Sequence, residues 1–358
     1  MRLHIFNPDH DLALAANLAN YTAPHAGREL RADLGFLPAL WAENGDWVLV
    51  DDLESTALYT RHMGQYLHQV RYLTFDELSR SYVQPSEICV WGWNKSLRRQ
   101  LLRHGVEERL MPSDEYIELY RQFSSRQWAA EHLLAPLVRS HPQLLGEAVC
   151  CRKVPHLQPH TVLKSPWSSS GRGVRYVERA DDSALRRWAE NIVRQQGAVM
   201  QEPYYKKVRD FAMEFECTAD RRVEYLGLSL FQTVRGAYTG NLIATEEEKT
   251  KELGQYVDSG LLQHLRHEII TLISSHIAPH YVGPLGIDMM IVSHPQAGDS
   301  FMVHPCVEMN LRRTMGHVAL ALTPRQPQPW RIMRIKYTDR YRLQVSPYLE
   351  NIVNNALI

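Results

Sequence analysis

The sequence predicts an α/β fold on two observations. The first hundred or so residues alternate short apolar strands with helical stretches, and the remainder changes texture to longer strands and hairpins interrupted by helices. In the first part the apolar runs 3–6, 47–50, 70–73 and 88–91 read as strands, and 29–43, 54–66 and 96–104 as helices. That β-α-β rhythm makes a parallel sheet, and ligands of such sheets gather beyond the carboxyl ends of the strands. Two loops fall there: "NPDHDLAL" (7–14) and "GWNKSL" (92–97). Asn7, Asp9, His10 and Asp11 either touch a substrate or, in the case of Asp11, cap the helix that follows.

A chain of 358 residues exceeds one compact core, so two or more units are expected. Its 40 basic residues balance 40 acidic ones, which argues against a nucleic-acid or membrane-surface protein. Residues 1–11 hold no apolar core after a basic start, and no apolar stretch is long enough to span a bilayer, so a cytoplasmic protein is expected. The cysteines at 89, 150, 151, 217 and 306 show no CxxC spacing and read as plain thiols. His276 and His280 have the spacing of a helical zinc pair, but Pro279 between them speaks against it.

In the second part, helices are expected over 114–134, 183–196 and 246–275. Between the first two lies "VLKSPWSSSGRGV" (162–174), where Lys164 ends a strand and a turn leads into a second strand, 174–177. Ser168, Ser169, Ser170, Gly171, Arg172 and Gly173 offer many hydrogen-bond donors, as a phosphate requires. The GxxxxGK[ST] loop and the third glycine of a dinucleotide fingerprint are both absent. A solvent-exposed Ser/Gly hairpin is the competing reading.

Two later strands carry "GIDMMIV" with Asp288 and "VHPCVEMN" with Glu308 and Asn310. On an extended backbone Glu308 and Asn310 share one face, and a hairpin through "SHPQAGDS" brings Asp288 beside them. Two carboxylates and an amide oxygen suit Mg²⁺, which keeps some waters and shares phosphate oxygens. A surface-facing acidic pair is the alternative.

A lysine-ended strand with a glycine-rich hairpin, then "QEPYY", then an aspartate on a strand, then E-x-N-x-R resembles the ATP-grasp superfamily of carboxylate–amine and carboxylate–thiol ligases, which includes biotin carboxylase and D-alanine–D-alanine ligase. The resemblance implies an α+β ATP-grasp domain over residues 113–330, with a hairpin-bearing part (113–200) and a metal-binding part (201–330). A parallel-sheet α/β domain (1–112) would precede it, and residues 331–358 would form an extension packing on it. ATP and Mg²⁺ are the implied cofactors. Lys164 would contact the α/β-phosphates and 168–173 would close over the β/γ-phosphates. Gln201, Glu202, Tyr204 and Tyr205 would lie along the adenine, and Asp210 near the ribose. Asp288, Glu308 and Asn310 would hold Mg²⁺, and Arg312 would stabilise the acyl-phosphate, with Arg313 its competitor for that role. Arg126 stands where the family often has a second lysine. The loop "VRGAYTGN" would meet the substrate through Arg235, Tyr238 and Asn241.

The implied reaction joins a small carboxylate to an amine or thiol by way of an acyl-phosphate. An ATP-binding module or phosphotransferase on the same fold, without ligation, is the alternative. The implied partners are small molecules, with neither nucleic acid nor membrane, and the sequence leaves open whether the chain forms a homodimer.

Overall fold

The structure is a computed structural model that describes residues 1–81, 84–168, 171, 173–234, 237–294 and 300–348. Its first sheet is parallel throughout. Arg2–Ile5 lies between Trp47–Leu49 and Glu87–Val90, and Arg71–Leu73 forms the outer edge. Leu3, Ile5 and the central Val48 are buried, as a sheet covered by helices on its faces requires. The helix expected over 29–43 is His25–Leu34 followed by a 3₁₀ turn, Leu37–Leu40, because Gly35 and Pro38 interrupt it. That expected over 54–66 likewise ends early, as Leu53–Thr60 and a 3₁₀ turn, Gly64–Tyr66. Lys95–Arg103 starts where Asn94 accepts the Leu97 N–H at 3.0 Å.

A second sheet, antiparallel, is built from Val149–Cys151, Val199–Pro203, Thr161–Lys164 and Val174–Val177 in that spatial order. The expected hairpin is present, with Lys164 paired to Val174. The helix Ser183–Gln196 has the expected bounds: Asp182 caps it and Gly197, at φ 85°, ends it. Its Leu185 and Ala189 pack on Leu163, Val177 and Val199. The helix expected over 114–134 is divided. Ser124 and Ser125 donate their hydroxyls to the carbonyls of Tyr120 and Gln122, both at 2.8 Å, competing with the helix's own bonds. Asp114–Phe123 therefore stops, and Arg126–Ala129 restarts under the Ser125 cap before a π-helical turn, Ala130–Leu134. The restart places Arg126 beside the hairpin, its backbone N–H donating to the Pro166 carbonyl at 3.0 Å.

The third sheet has seven antiparallel strands, in the order Phe301–Asn310, Gly283–Ser293, Lys207–Cys217, Val223–Val234, Ala237–Ile243, Arg331–Tyr337, Tyr341–Pro347. Alternation sorts its faces. Phe211, Phe215, Leu285, Ile287 and Met309 join one core with Leu261, Leu265, Ile269 and Ile273. The last four recur every fourth residue along the helix Ser259–His276, as an apolar stripe must. The helix expected over 246–275 is two, because the chain breaks at Gly254 and Asp258 caps the second.

Residues 331–347 do more than pack on the domain: they supply the last two strands of this sheet. Met333 and Leu343 share a core with Phe6, Leu34 and Trp91 of the first unit and with Val318 of Met315–Ala321, a helix the sequence reading did not foresee. The five cysteines are free thiols. Among the described residues no helix is long and apolar enough to cross a membrane.

Candidate active site

A cavity of about 500 Å³ opens between the hairpin sheet and the polar face of the seven-stranded sheet. At the hairpin end, Lys164 and Glu202 both line it, and the Lys164 Nζ lies 2.5 Å from Glu202 Oε2 with both side chains buried. Arg126 bridges the two walls. Its Nη1 donates to the Ser165 carbonyl at 2.7 Å and to Ser168 Oγ at 2.8 Å, and its Nη2 to Glu308 Oε1 at 2.7 Å.

On the floor, Asp288 stands directly across the ladder from Glu308, as the same-face reading requires. Burial, then the neighbouring Glu308 charge, push the Asp288 carboxyl up to about 7. Asn310 Nδ2 donates to Asp288 Oδ2 at 3.1 Å, and Asn310 Oδ1 accepts from Arg312 Nη2 at 2.9 Å. Arg312 in turn grips Asp11 of the first unit, Nε to Oδ1 at 2.8 Å and Nη2 to Oδ2 at 2.7 Å. Burial alone would raise the Asp11 carboxyl, but the Arg312 charge and hydrogen bonds outweigh it and hold it below its usual value. Asp11 is therefore not a helix cap. The cap position of His10–Ala16 is Asp9, whose side chain makes no cap bond.

Two facing carboxyls with one raised by the other are the donor set a divalent cation relieves. Among the described residues no three His, Cys, Asp or Glu side chains form a group that could hold a metal, so a cation held here would have to complete its shell with waters and phosphate oxygens. In this arrangement Arg126 holds Glu308, and the Asn310 oxygen faces Arg312.

The structure brings most of the remaining candidates to the same cavity. Gly171, Tyr204, Tyr205 and Asp210 line it, as do Tyr238 and Asn241. Asp210 accepts from Lys207 Nζ at 2.6 Å and Thr233 Oγ1 at 2.7 Å. Gly173 sits behind the wall, where a Cβ would fall 2.1 Å from Ser165 Oγ. Two candidates turn away. Gln201, next to inward-facing Glu202 on the strand, donates to the His156 carbonyl at 3.5 Å. Arg313 leaves the cavity and stacks over the Trp41 ring at 4.6 Å. Ser169, Ser170, Arg172 and Arg235 lie outside the described residues.

Sequence reasoning missed Glu214, Ser229 and Thr314 in the cavity wall, and the partner of Arg312. Alternation from Asp210 through Ala212 to Glu214 was the available signal for the first. Glu214 is 1 % exposed. Burial, then Asp288, push its carboxyl up to about 8.

The fold is similar to that of solved structures. A protein assigned to the ATP-grasp superfamily from Archaeoglobus fulgidus aligns with a TM-score of 0.51 at 11% identity, over 98% of this chain and 100% of that one. The chain thus has the ATP-grasp fold. N5-carboxyaminoimidazole synthetase from Staphylococcus aureus, solved with ADP, aligns with a TM-score of 0.48 at 11% identity, over 94% and 82% of the two chains. Biotin carboxylase from Campylobacter jejuni aligns with a TM-score of 0.46 at 13% identity, over 93% and 75%. No protein-family model matches the chain. The comparison with curated proteins finds no significant match.

Proposed function

We propose that the protein is a Mg-ATP-dependent ligase that joins a small carboxylate to an amine through an acyl-phosphate. One observation carries the reading: Lys164 and Arg126 on the hairpin side face Asp288, Glu308, Asn310 and Arg312 on the sheet side across a single cavity. Cations that can hold phosphates thus oppose carboxyls that can hold a metal, with a guanidinium beside them, which is the positioning and charge neutralisation phosphoryl transfer needs.

ATP would lie with its phosphates between Lys164 and the hairpin turn, and its base between Glu202, Tyr204 and Tyr205. Asp288, Glu308 and Asn310 would hold Mg²⁺, which when bound neutralises charge on the phosphates. Arg312 would steady the carboxyl group as its oxygen attacks the γ-phosphorus. Lys164 is held by Glu202 and Arg126 by Glu308, so neither cation sits buried and uncompensated before nucleotide arrives.

The test is a screen of purified protein with Mg-ATP against pools of amino acids and other small carboxylic acids, reading ADP formation. Substrate-dependent ADP supports the ligase. ATP binding without turnover across all pools would replace it with a binding module.

A further inference from the structure

We infer that the stretch of cavity wall around Glu214 is the seat of the acceptor substrate, and that it takes a primary amine as its ammonium ion. The acceptor role rests on the ligase reading above; the recognition of an organic cation does not.

Glu214 is a cavity-lining carboxyl with no Lys or Arg ion pair among the described residues. Its Oε1 accepts from Thr314 Oγ1 at 2.9 Å, while Oε2 has no hydrogen-bond donor. The His317 Nδ1 lies 3.1 Å from Oε2, but that nitrogen already accepts the Thr314 N–H at 3.1 Å and has no proton to give. Burial holds His317 well below its ordinary value, so the ring is neutral.

Among the described residues, the nearby bases have partners of their own. Arg312 spends its donors on Asp11, Asn310 and the Arg313 carbonyl. Lys249 gives its Nζ to the Leu228 carbonyl and stands 3.3 Å from Glu246. Arg313 stacks on Trp41. None of these bases hydrogen-bonds the buried Glu214 carboxyl, so it either keeps its proton in the empty site or takes a cation from outside.

The neighbours of Glu214 offer lone pairs. The Tyr238 hydroxyl donates to Asn241 Oδ1, and Asn241 Nδ2 donates to Ser229 Oγ at 2.7 Å. The hydroxyl oxygens of Tyr238 and Ser229 on the cavity wall thus keep lone pairs free of these bonds, and the Ser229 O–H is not spent in them. Space for the carboxyl is made by Gly286 and Gly316, where a Cβ would come within 2.4 and 1.8 Å of its oxygens. The raised value of the empty site, about 8, is what a carboxyl lacking its cation shows.

The same carboxylate can then serve the chemistry. It takes one proton from the bound ammonium and frees the nitrogen lone pair. The nitrogen bonds to the acyl carbon as the bond from that carbon to the phosphate oxygen breaks, phosphate leaves with the electron pair, and the second nitrogen proton leaves with it.

The experiment uses the full chain and propylammonium chloride as probe, with propan-1-ol as the uncharged isostere and potassium chloride as the salt control. Thermal stability is followed against concentration. The expected result is a saturable stabilisation by propylammonium only, with an apparent Kd that rises on the order of tenfold or more in Glu214→Gln. Equal shifts from the alcohol or the salt, or an unchanged Kd in Glu214→Gln, overturn the inference. Should Glu214→Gln fail to fold, the charged-versus-uncharged comparison in the unaltered protein decides it. Hydroxylamine, an uncharged nucleophile at neutral pH, tests the ligase separately: hydroxamate formed from an acid and Mg-ATP requires an activated acyl group but not the cation seat.

Discussion

Arg312 and Asp11, 301 residues apart in the chain, form a two-pronged ion pair that ties the end of the strand Phe301–Asn310 to the first loop of the parallel sheet. The pair fixes where the guanidinium points. Asp11→Asn should leave Arg312 mostly buried with half its grip, costing about 3 kcal/mol of stability. Turnover should fall at least tenfold while nucleotide affinity holds, and Asp11→Glu should recover part of it. Calorimetry with nucleotide, beside steady-state ADP release, separates this from a general loss of fold.

Arg312 and Arg313 should differ in consequence although they are neighbours. Removing a preorganised guanidinium at the reacting group costs on the order of a hundredfold in rate, so Arg312→Lys should keep ATP binding and lose most turnover. Arg313→Lys should be milder, since Arg313 lies over Trp41 outside the cavity. If Arg313→Lys proves the crippled variant, the roles given to the two residues are reversed.

Lys164→Ala should weaken nucleotide binding strongly, because on the proposed reading it removes a buried cation beside the phosphates, and it strands Glu202 without its 2.5 Å partner. Lys164→Ala, Glu202→Gln should fold better than the single variant yet bind nucleotide no better. Unchanged affinity in the single variant by calorimetry would sink the phosphate assignment.

Glu308→Gln and Asn310→Ala should abolish Mg²⁺-dependent turnover with the fold intact. Both side chains face the cavity, while the adjacent Met309 faces the core. Circular dichroism and ADP release across a Mg²⁺ titration check this. Unfolding of both variants would make the side chains structural.

Stability without metal should fall as pH rises. Asp288 and Glu214 keep their protons to about 7 and about 8 in the folded chain, because of burial first and then the neighbouring carboxylates Glu308 and Asp288. Unfolded carboxyls titrate near pH 4, so between there and about pH 8 the folded state binds more protons, and raising pH favours unfolding. Melting temperature should drop across that window, less so in Glu214→Gln, and Mg²⁺ should flatten the curve by replacing the proton on Asp288. A rising curve would contradict the burial of these two groups.

Local patterning exposed part of this site and hid the rest. The strands of the parallel sheet, the Lys164 hairpin and the Asp288–Glu308 pairing follow from apolar runs, turn residues and period-two alternation, all of them short-range signals. The Asp11–Arg312 pair joins opposite ends of the chain and leaves no periodic trace. Glu214 sits in a strand whose apolar neighbours look the same whether its other face meets solvent or a cavity. The inward turn of Arg126 depends on a helix break made by two serines, which propensity alone does not separate from an ordinary helical pair.

The strand Ala237–Ile243 carries Tyr238 and Asn241 on the cavity wall and is held on its outer side by Arg331–Tyr337. During synthesis, a nascent chain still short of residue 331 therefore leaves that strand with one bare edge while the parallel sheet upstream is already complete. Pairing across such a long separation is slow, and an open edge invites the wrong neighbour. The cavity wall thus matures last, so chains halted before residue 331 should accumulate as species with a formed first unit and an adhesive second one.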